Sequence, residues 1–192
     1  GLATFIGGIH PFEGKELSED KPIKYLEPLQ GEVMVYPLSQ HIGAPAKPLV
    51  AKGDHVLKGQ IIAEAGGFIS ANVLSSVSGT VKGIESKLVA NGAMVQSILV
   101  ENDGEEEAIE GFGTDRDASK LSKEEIRQIV KDAGIVGLGG AGFPTHVKLT
   151  PKDENAIDYV IVNGAECEPY LTSDYRTMIE RPEQIIGGLK VM

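Results

Sequence analysis

The sequence has 192 residues, of which 41% are hydrophobic and 24% are charged, and its net charge at pH 7 is −10. These values are typical of a globular protein with a packed core, and the negative charge disfavours binding to nucleic acid. No run approaches the ~20 apolar residues of a membrane-spanning helix, no signal peptide is visible, and the single cysteine, Cys167, indicates a reducing compartment.

The first hundred residues are predicted to hold an arm and a β domain. Residues 1–30 place Pro11, Pro22 and Pro28 among charged residues, which predicts an extended N-terminal arm. Residues 31–101 contain short runs rich in β-branched residues, separated by frequent glycines. Such runs predict a small all-β sandwich or barrel. The runs lie at residues 33–36, 61–63, 77–84 and 97–100.

The remaining residues predict an acidic linker and the first part of an α/β domain. Residues 102–120 are acidic and contain glycine, which favours a solvated linker. Within 121–192, Ser122 and Glu125 form a capping box for a helix that Gly134 can end. The apolar run at 159–162 predicts a buried strand, and Pro182 can open a last helix. One strand cannot cover its own sheet, so we expect the chain to be part of something longer.

The β domain resembles the barrel-sandwich hybrid fold of biotinyl and lipoyl carrier domains. The resemblance rests on residues 50–61, VAKGDHVLKGQI, where apolar residues flank two glycine turns. A similar glycine turn follows at residues 78–81, SGTV. In those carriers a lysine on a tight hairpin receives the cofactor. The equivalent turn here, residues 64–68, reads EAGGF and has no lysine. We therefore expect no covalent lipoyl or biotinyl group and interpret the domain as a structural or docking module.

The segment most informative for chemistry is the glycine loop, residues 137–145, GLGGAGFPT. Four glycines in six residues leave one face of the backbone without side chains, so its N–H groups can approach a phosphate or a planar ring closely. Lys148 follows at a distance from which a cation could reach a flavin phosphate or ring carbonyl. On spacing alone, a tight turn or a helix-packing contact is an equal alternative.

A second segment, the acidic turn, covers residues 163–170, NGAECEPY, and follows the predicted strand. Ligands in open α/β sheets bind beyond the carboxyl ends of strands. Asn163 offers a donor and an acceptor to the edge of a heterocycle, and Glu166 and Glu168 place two carboxylates close together. The alternative, which the residues favour equally, is a helix start where the dipole favours acidic side chains.

Together, the two segments resemble the NADH-oxidising subunit of respiratory complex I. The glycine loop with Lys148 is similar to its flavin-binding loop, and the acidic turn is similar to its strand-end motif, with Cys167 replacing a serine and Ala165 an aspartate. The N-terminal run FIGGIHP, residues 5–11, is similar to the C subunit of the Rnf electron-transport complex, as are residues 15–18 and 21–23. The resemblance covers essentially the whole chain.

This resemblance implies a subunit that transfers electrons between NADH and ferredoxin in a membrane ion-translocating complex. Electrons would pass through non-covalent FMN and then through 4Fe-4S clusters, whose cysteines would lie beyond residue 192. The implied partners are the other subunits of the complex, NADH and, indirectly, ferredoxin. The implied location is peripheral, at the cytoplasmic face of the cell membrane, without a direct membrane span. We expect the 192-residue chain by itself to be inactive.

The resemblance also implies roles for individual residues. Phe143 and Glu168 are expected to face NADH. No catalytic or metal-ligating residue is expected, because the flavin itself carries the hydride chemistry. His146 and Cys167 receive no role. The residues expected to bind FMN are Gly137, Gly139, Gly140, Gly142, Lys148, Asn163 and Glu166.

Two alternatives remain open at this point. A flavin-dependent cobalamin reductase subunit shares the glycine loop, although His10 and Pro11 of the arm favour the Rnf relationship. A non-catalytic assembly module is the other alternative, with the β domain docking partners and the glycine loop serving only as a turn. Flavin binding by the full-length protein distinguishes an enzyme from such a module.

Overall fold

The computed structural model describes residues 7–192, which form two compact units. The larger unit contains residues 27–156, and the smaller one combines the described residues up to Leu26 with Ile157–Met192. The larger unit therefore includes the residues of the predicted linker and the start of the predicted α/β domain. The assignment of 1–30, 31–101, 102–120 and 121–192 to separate segments stays a prediction.

Two antiparallel sheets build the β domain of the larger unit. The first has four strands in the order β1-β7-β6-β3, and the second has three in the order β2-β4-β5. In the first sheet Val35 lies opposite Leu99, and Val81 lies opposite Val100. The strands are β1 (Val33–Pro37), β2 (Lys47–Pro48), β3 (His55–Val56), β4 (Ile61–Glu64), β5 (Val73–Leu74), β6 (Gly79–Leu88) and β7 (Met94–Asn102).

The hydrophobic core draws on both sheets. Val56, Val81 and Ile98 of the first sheet belong to the same buried cluster as Ile62 and Val73 of the second. Burying a side chain of this size contributes about 1.5–3 kcal/mol relative to leaving it exposed. The alternation of short apolar runs and glycine turns thus produces the barrel-sandwich hybrid predicted from the sequence, and that fold class is confirmed.

Helix α1 (Lys123–Asp132) begins and ends where the sequence predicts. The Ser122 hydroxyl accepts a hydrogen bond from the Glu125 N–H at 3.2 Å, and the Ser122 N–H donates to the Glu125 carboxylate at 2.7 Å. Gly134 follows the helix with φ +63°, a left-handed conformation that suits glycine. The remaining α-helices are α2 (Thr145–Lys148), α3 (Ser173–Glu180) and α4 (Pro182–Val191).

The last helix confirms the prediction that Pro182 is its first residue, since α4 begins there. A proline at this position sacrifices no helical hydrogen bond, because the first N–H groups of a helix have no intrahelical acceptor. Within residues 7–192, none of the helices combines the length and the apolar character needed to cross a bilayer.

The predicted buried strand at residues 159–162 is wrong. These residues form neither strand nor helix, and the side chains of Tyr159 and Ile161 are 84% and 85% exposed. A strand is stabilised by ladder hydrogen bonds and by packing on its faces, and no described segment pairs with this run. The continuous apolar pattern is present in the sequence, but no segment among residues 7–192 pairs with it or buries it.

The described part of the N-terminal arm is largely irregular. Between residues 7 and 26 the regular structure is one 3-10 turn at Lys15–Leu17, which follows Gly14. The first two residues of the FIGGIHP run, Phe5 and Ile6, lie outside the described residues.

Candidate functional site

The glycine loop is closed at its base and open at its tip. The Gly137 N–H donates to the Phe143 carbonyl at 2.9 Å, and the Thr145 N–H donates to the Ile135 carbonyl at 2.9 Å. Between these bonds, the N–H groups of residues 138–142 donate to no other described residue. A row of unpaired N–H groups on a side-chain-free loop can donate to the oxygens of a phosphate or to the acceptors of a planar ring.

The four glycines of the loop differ in what surrounds them. A Cβ added to Gly139 or Gly140 would meet no atom within 4 Å. A Cβ on Gly142 would lie 2.7 Å from the backbone oxygen of Gln40, and Gly142 has φ +64°. Packing and conformation therefore require glycine at 142. At 139 and 140 the same residue type leaves an open surface.

Lys148 lies against the base of this loop. Its amine would be 2.9 Å from a Cβ at Gly137, so the absent side chain lets the cation approach the backbone. Phe143, the predicted NADH contact, is half-buried beside the fully buried Pro144. A cation, unpaired N–H groups and an open glycine surface are the donor set that an anionic flavin nucleotide requires, so the loop fits FMN.

The β domain holds the glycine loop through residues that sequence reasoning missed. The Asn72 amide donates to the Lys131 and Asp132 carbonyls at 3.4 Å each, which caps the end of α1 just before the loop. Gly142, near the other end of the loop, packs against the backbone of Gln40 and His41. No local pattern marks Asn72 or His41, because their partners lie far along the chain.

His146 follows the loop in α2 and is half-buried. Burial lowers the pKa of His146 below its usual value of 6.5, and the positive charge of Lys131 lowers it further. The imidazole is therefore mainly neutral near pH 7.

The acidic turn lies in the smaller unit, and the two carboxylate oxygens of its Glu166 have different surroundings. One Glu166 carboxylate oxygen accepts a hydrogen bond from the Tyr175 N–H at 3.0 Å, near the start of α3. The other oxygen, Oε2, is buried and has no hydrogen-bond partner among the described residues. One oxygen of Glu166 therefore caps an N–H of α3, although that helix begins at Ser173 and not within the turn, and the second oxygen lacks a donor.

The other two predicted residues of this turn have different surroundings. The Asn163 side-chain oxygen accepts from the Ala165 N–H at 3.0 Å, which folds the start of the turn. Glu168 has an exposed side chain, and its carbonyl accepts a hydrogen bond from the Lys15 amine at 3.2 Å. The smaller unit therefore brings Asn163, Glu166 and Glu168 onto one short turn. The predicted residues from Gly137 to Lys148 lie in the larger unit.

A cleft of about 360 Å³ separates the arm from the acidic turn within the smaller unit. Carboxylates, a thiol and a lysine line it together with two prolines, so its surface combines ionisable and apolar groups. Within residues 7–192, no group of three or more histidine, cysteine or acidic residues is arranged to hold a metal ion. The lining residues include His10, Glu13 and Lys15 of the arm and Glu166, Cys167 and Glu168 of the turn.

Two family models match different parts of the sequence. Residues 3–105 match the family model described as the RnfC barrel sandwich hybrid domain. The chain belongs to the RnfC family. Residues 130–192 match the Nuo51 FMN-binding domain, and this second match contains both the glycine loop and the acidic turn. The family resemblance predicted from the sequence is confirmed.

Individual RnfC relatives match all or nearly all of the chain. The relative from Clostridium ljungdahlii, which belongs to a proton-translocating ferredoxin:NAD(+) oxidoreductase complex, is 45% identical over 100% of this chain. Its Na(+)-translocating counterpart from Acetobacterium woodii is 44% identical over 98% of the chain. The relative from the ion-translocating oxidoreductase complex of Pseudomonas aeruginosa is 41% identical over 100% of it. The chain spans 41%, 42% and 24% of the lengths of these three relatives.

Proposed function

We propose that the chain supplies flavin- and NAD(H)-binding residues to an electron-transfer subunit of an ion-translocating ferredoxin:NAD oxidoreductase complex. The observation that carries this proposal is the ordered pair of family matches, with an RnfC β domain followed by an FMN-binding domain. The names of the relatives from Clostridium ljungdahlii and Acetobacterium woodii support the pair of redox substrates, NAD and ferredoxin. The same names favour this function over a cobalamin reductase.

The glycine loop is proposed to bind FMN through its backbone. The unpaired N–H groups of 138–142 would donate to the flavin, and the open surface at Gly139 and Gly140 would let it approach. Gly137 and Gly142 would shape the loop, and Lys148 would supply the positive charge. When bound, FMN supplies the conversion between two-electron hydride transfer and one-electron transfer.

The acidic turn is proposed to contribute Asn163 and Glu166 to FMN binding. Glu166 is the better supported of the two, because its buried Oε2 lacks a donor and a flavin or ribityl hydroxyl would provide one. Phe143 and Glu168 are proposed to face NADH, with the exposed Glu168 carboxylate accepting hydrogen bonds from a ribose or carboxamide group.

The rest of the electron path is proposed to lie outside these 192 residues. Cysteines elsewhere in the subunit would hold 4Fe-4S clusters that pass electrons singly towards the other subunits, with ferredoxin as the distant partner. The subunit would sit peripherally at the cytoplasmic face of the cell membrane. The β domain is proposed to be a docking or structural module, and the 192-residue chain alone is proposed to be inactive.

Anaerobic spectroscopy of the full-length subunit tests this function. We expect the purified protein to bind FMN stoichiometrically and NADH to bleach the flavin absorbance, with single electrons then passing to a ferredoxin in the assembled complex. A protein that binds no flavin would be an assembly module instead. A flavoprotein that reduces a corrinoid but does not exchange electrons with ferredoxin would be a cobalamin reductase.

A further inference from the structure

The N-terminal arm contacts the acidic turn at Tyr170. The Tyr170 N–H donates to the Glu13 carbonyl at 2.6 Å, and Tyr170 has φ +67°, which is unusual for a residue with a side chain. Its ring lies over Gly14, where a Cβ would be 2.2 Å from the ring carbon Cε1. Such a conformation persists only where surrounding contacts fix it. The arm supplies those contacts.

Lys15, the next residue of the arm, fixes the backbone on both sides of Tyr170. Its amine donates to the Glu168 carbonyl at 3.2 Å and to the Leu171 carbonyl at 2.9 Å. Lys15 is half-buried and lines the cleft together with the side chains of Glu166 and Glu168. A single cation thus holds the carbonyl of Glu168 itself and a second carbonyl three residues further along the chain.

We propose that Lys15 is a positioning residue for the nucleotide site, holding the turn so that the Glu168 side chain faces NADH. This inference rests on the proposed function of the acidic turn. Lys15 itself stays engaged with backbone carbonyls and does not touch the reacting atoms. A shift of about 1 Å in a substrate-positioning group can lower a rate a hundredfold. Loss of the Lys15 contacts should therefore change the kinetics of NADH oxidation.

Other contacts keep the arm attached when Lys15 is changed. The Arg176 guanidinium donates to the Glu19 carbonyl at 3.0 Å, and the Ile23 N–H donates to the Glu180 carboxylate at 3.0 Å. The Arg181 guanidinium also stacks over the Tyr25 ring at 4.9 Å. Because these anchors lie beyond Lys15 along the arm, loss of its amine should loosen the turn without releasing the arm.

Three variants of the full-length subunit test the proposal. Lys15→Met removes the donor and keeps a long, unbranched side chain, and Lys15→Arg restores a cation. Lys21→Met is the matched control, because the Lys21 amine donates to the Leu17 carbonyl within the arm and not to the turn. The measurements are KM and kcat for NADH, FMN content, melting temperature and the alkylation rate of Cys167, followed by peptide mass mapping.

We expect Lys15→Met to raise KM for NADH about tenfold. A change of this size corresponds to the loss of about one hydrogen bond to a charged group. FMN content and melting temperature should stay near those of the parent. Lys15→Arg should recover most of the loss, and Lys21→Met should match the parent. The alkylation rate of Cys167, which lies between the two glutamates, should change in Lys15→Met alone.

Parental KM and an unchanged Cys167 alkylation rate in Lys15→Met would overturn the proposal. The proposal would also be overturned if FMN content and melting temperature both fell in Lys15→Met and Lys15→Arg failed to restore them. That result would show a purely structural role. If the parent itself does not oxidise NADH, the proposed function fails first. The Cys167 measurement then still decides whether Lys15 holds the turn.

Discussion

Two alanine substitutions in the glycine loop should separate binding from folding. For Gly142→Ala, the left-handed conformation costs about 1–2 kcal/mol. The new Cβ would also lie 2.7 Å from the Gln40 oxygen and 2.9 Å from the His41 Cα, which are backbone atoms that cannot rotate away. Overpacking of this kind costs about 1–3 kcal/mol. Together, the two costs predict a loss of about 2–5 kcal/mol in the free energy of unfolding.

Gly140→Ala should behave in the opposite way. Its φ lies outside the left-handed region and its Cβ would meet no atom within 4 Å, so the folded state accepts the methyl group. The substitution should leave stability within about 0.5 kcal/mol of the parent, or raise it slightly by restricting the unfolded chain. The same methyl group would stand on the open surface where FMN is proposed to approach, so flavin affinity should fall.

Denaturant unfolding and FMN titration of the full-length subunit measure the two quantities separately. The expected pattern is a large stability loss in Gly142→Ala and an affinity loss without a stability loss in Gly140→Ala. Equal stability losses would show that the surroundings of these glycines are misjudged. Parental FMN affinity in Gly140→Ala would remove this face of the loop from the flavin site.

Three further predictions concern other parts of the chain. Glu168→Gln in the flavin-replete subunit should lower kcat/KM for NADH about tenfold to a hundredfold while FMN is retained, and an unchanged value in steady-state assays would remove Glu168 from the site. Glu154 accepts hydrogen bonds from Lys123 and Arg127, and these lower its pKa from 4.5 to about 2. Because the folded-state pKa is depressed, this stabilisation is present above pH 4.5 and is lost as the pH falls towards 2. Glu154→Gln should therefore lower the melting temperature at about pH 7, and the difference from the parent should close near pH 2; a constant difference would contradict the assignment. Co-expression with a lipoyl or biotin ligase should leave the intact mass unchanged, whereas an added cofactor mass mapped to the β domain would show that the lysine-free turn was misidentified.

Features encoded by neighbouring residues could be predicted from the sequence. The capping box forms between Ser122 and Glu125, which are three residues apart. The end of α1 depends on the left-handed conformation that Gly134 itself can adopt. The β domain was predictable because alternating apolar runs and glycine turns recur within a few residues of each other. The two candidate binding segments were recognisable for the same reason, since each is a short continuous motif.

Features that depend on distant residues could not be predicted. The apolar run at 159–162 has the composition of a buried strand, but composition does not identify which segment will pair with it. Asn72, which caps α1, lies 59 residues before its partner Lys131, and Lys15 lies 153 residues before Glu168. The sequence therefore shows the candidate binding motifs but not the residues that hold them in place.

The separation between the arm and its partners also affects how the smaller unit can form during synthesis. Lys15 leaves the ribosome first, and the Glu168 carbonyl follows 153 residues later. At typical rates of translation this interval is roughly 8 to 30 seconds. The residues of the larger unit, 27–156, emerge within that interval and can fold, while the arm must wait for its acceptor. A chaperone or an N-terminal fusion that occupies the arm during this period would delay the acidic turn without disturbing the β domain.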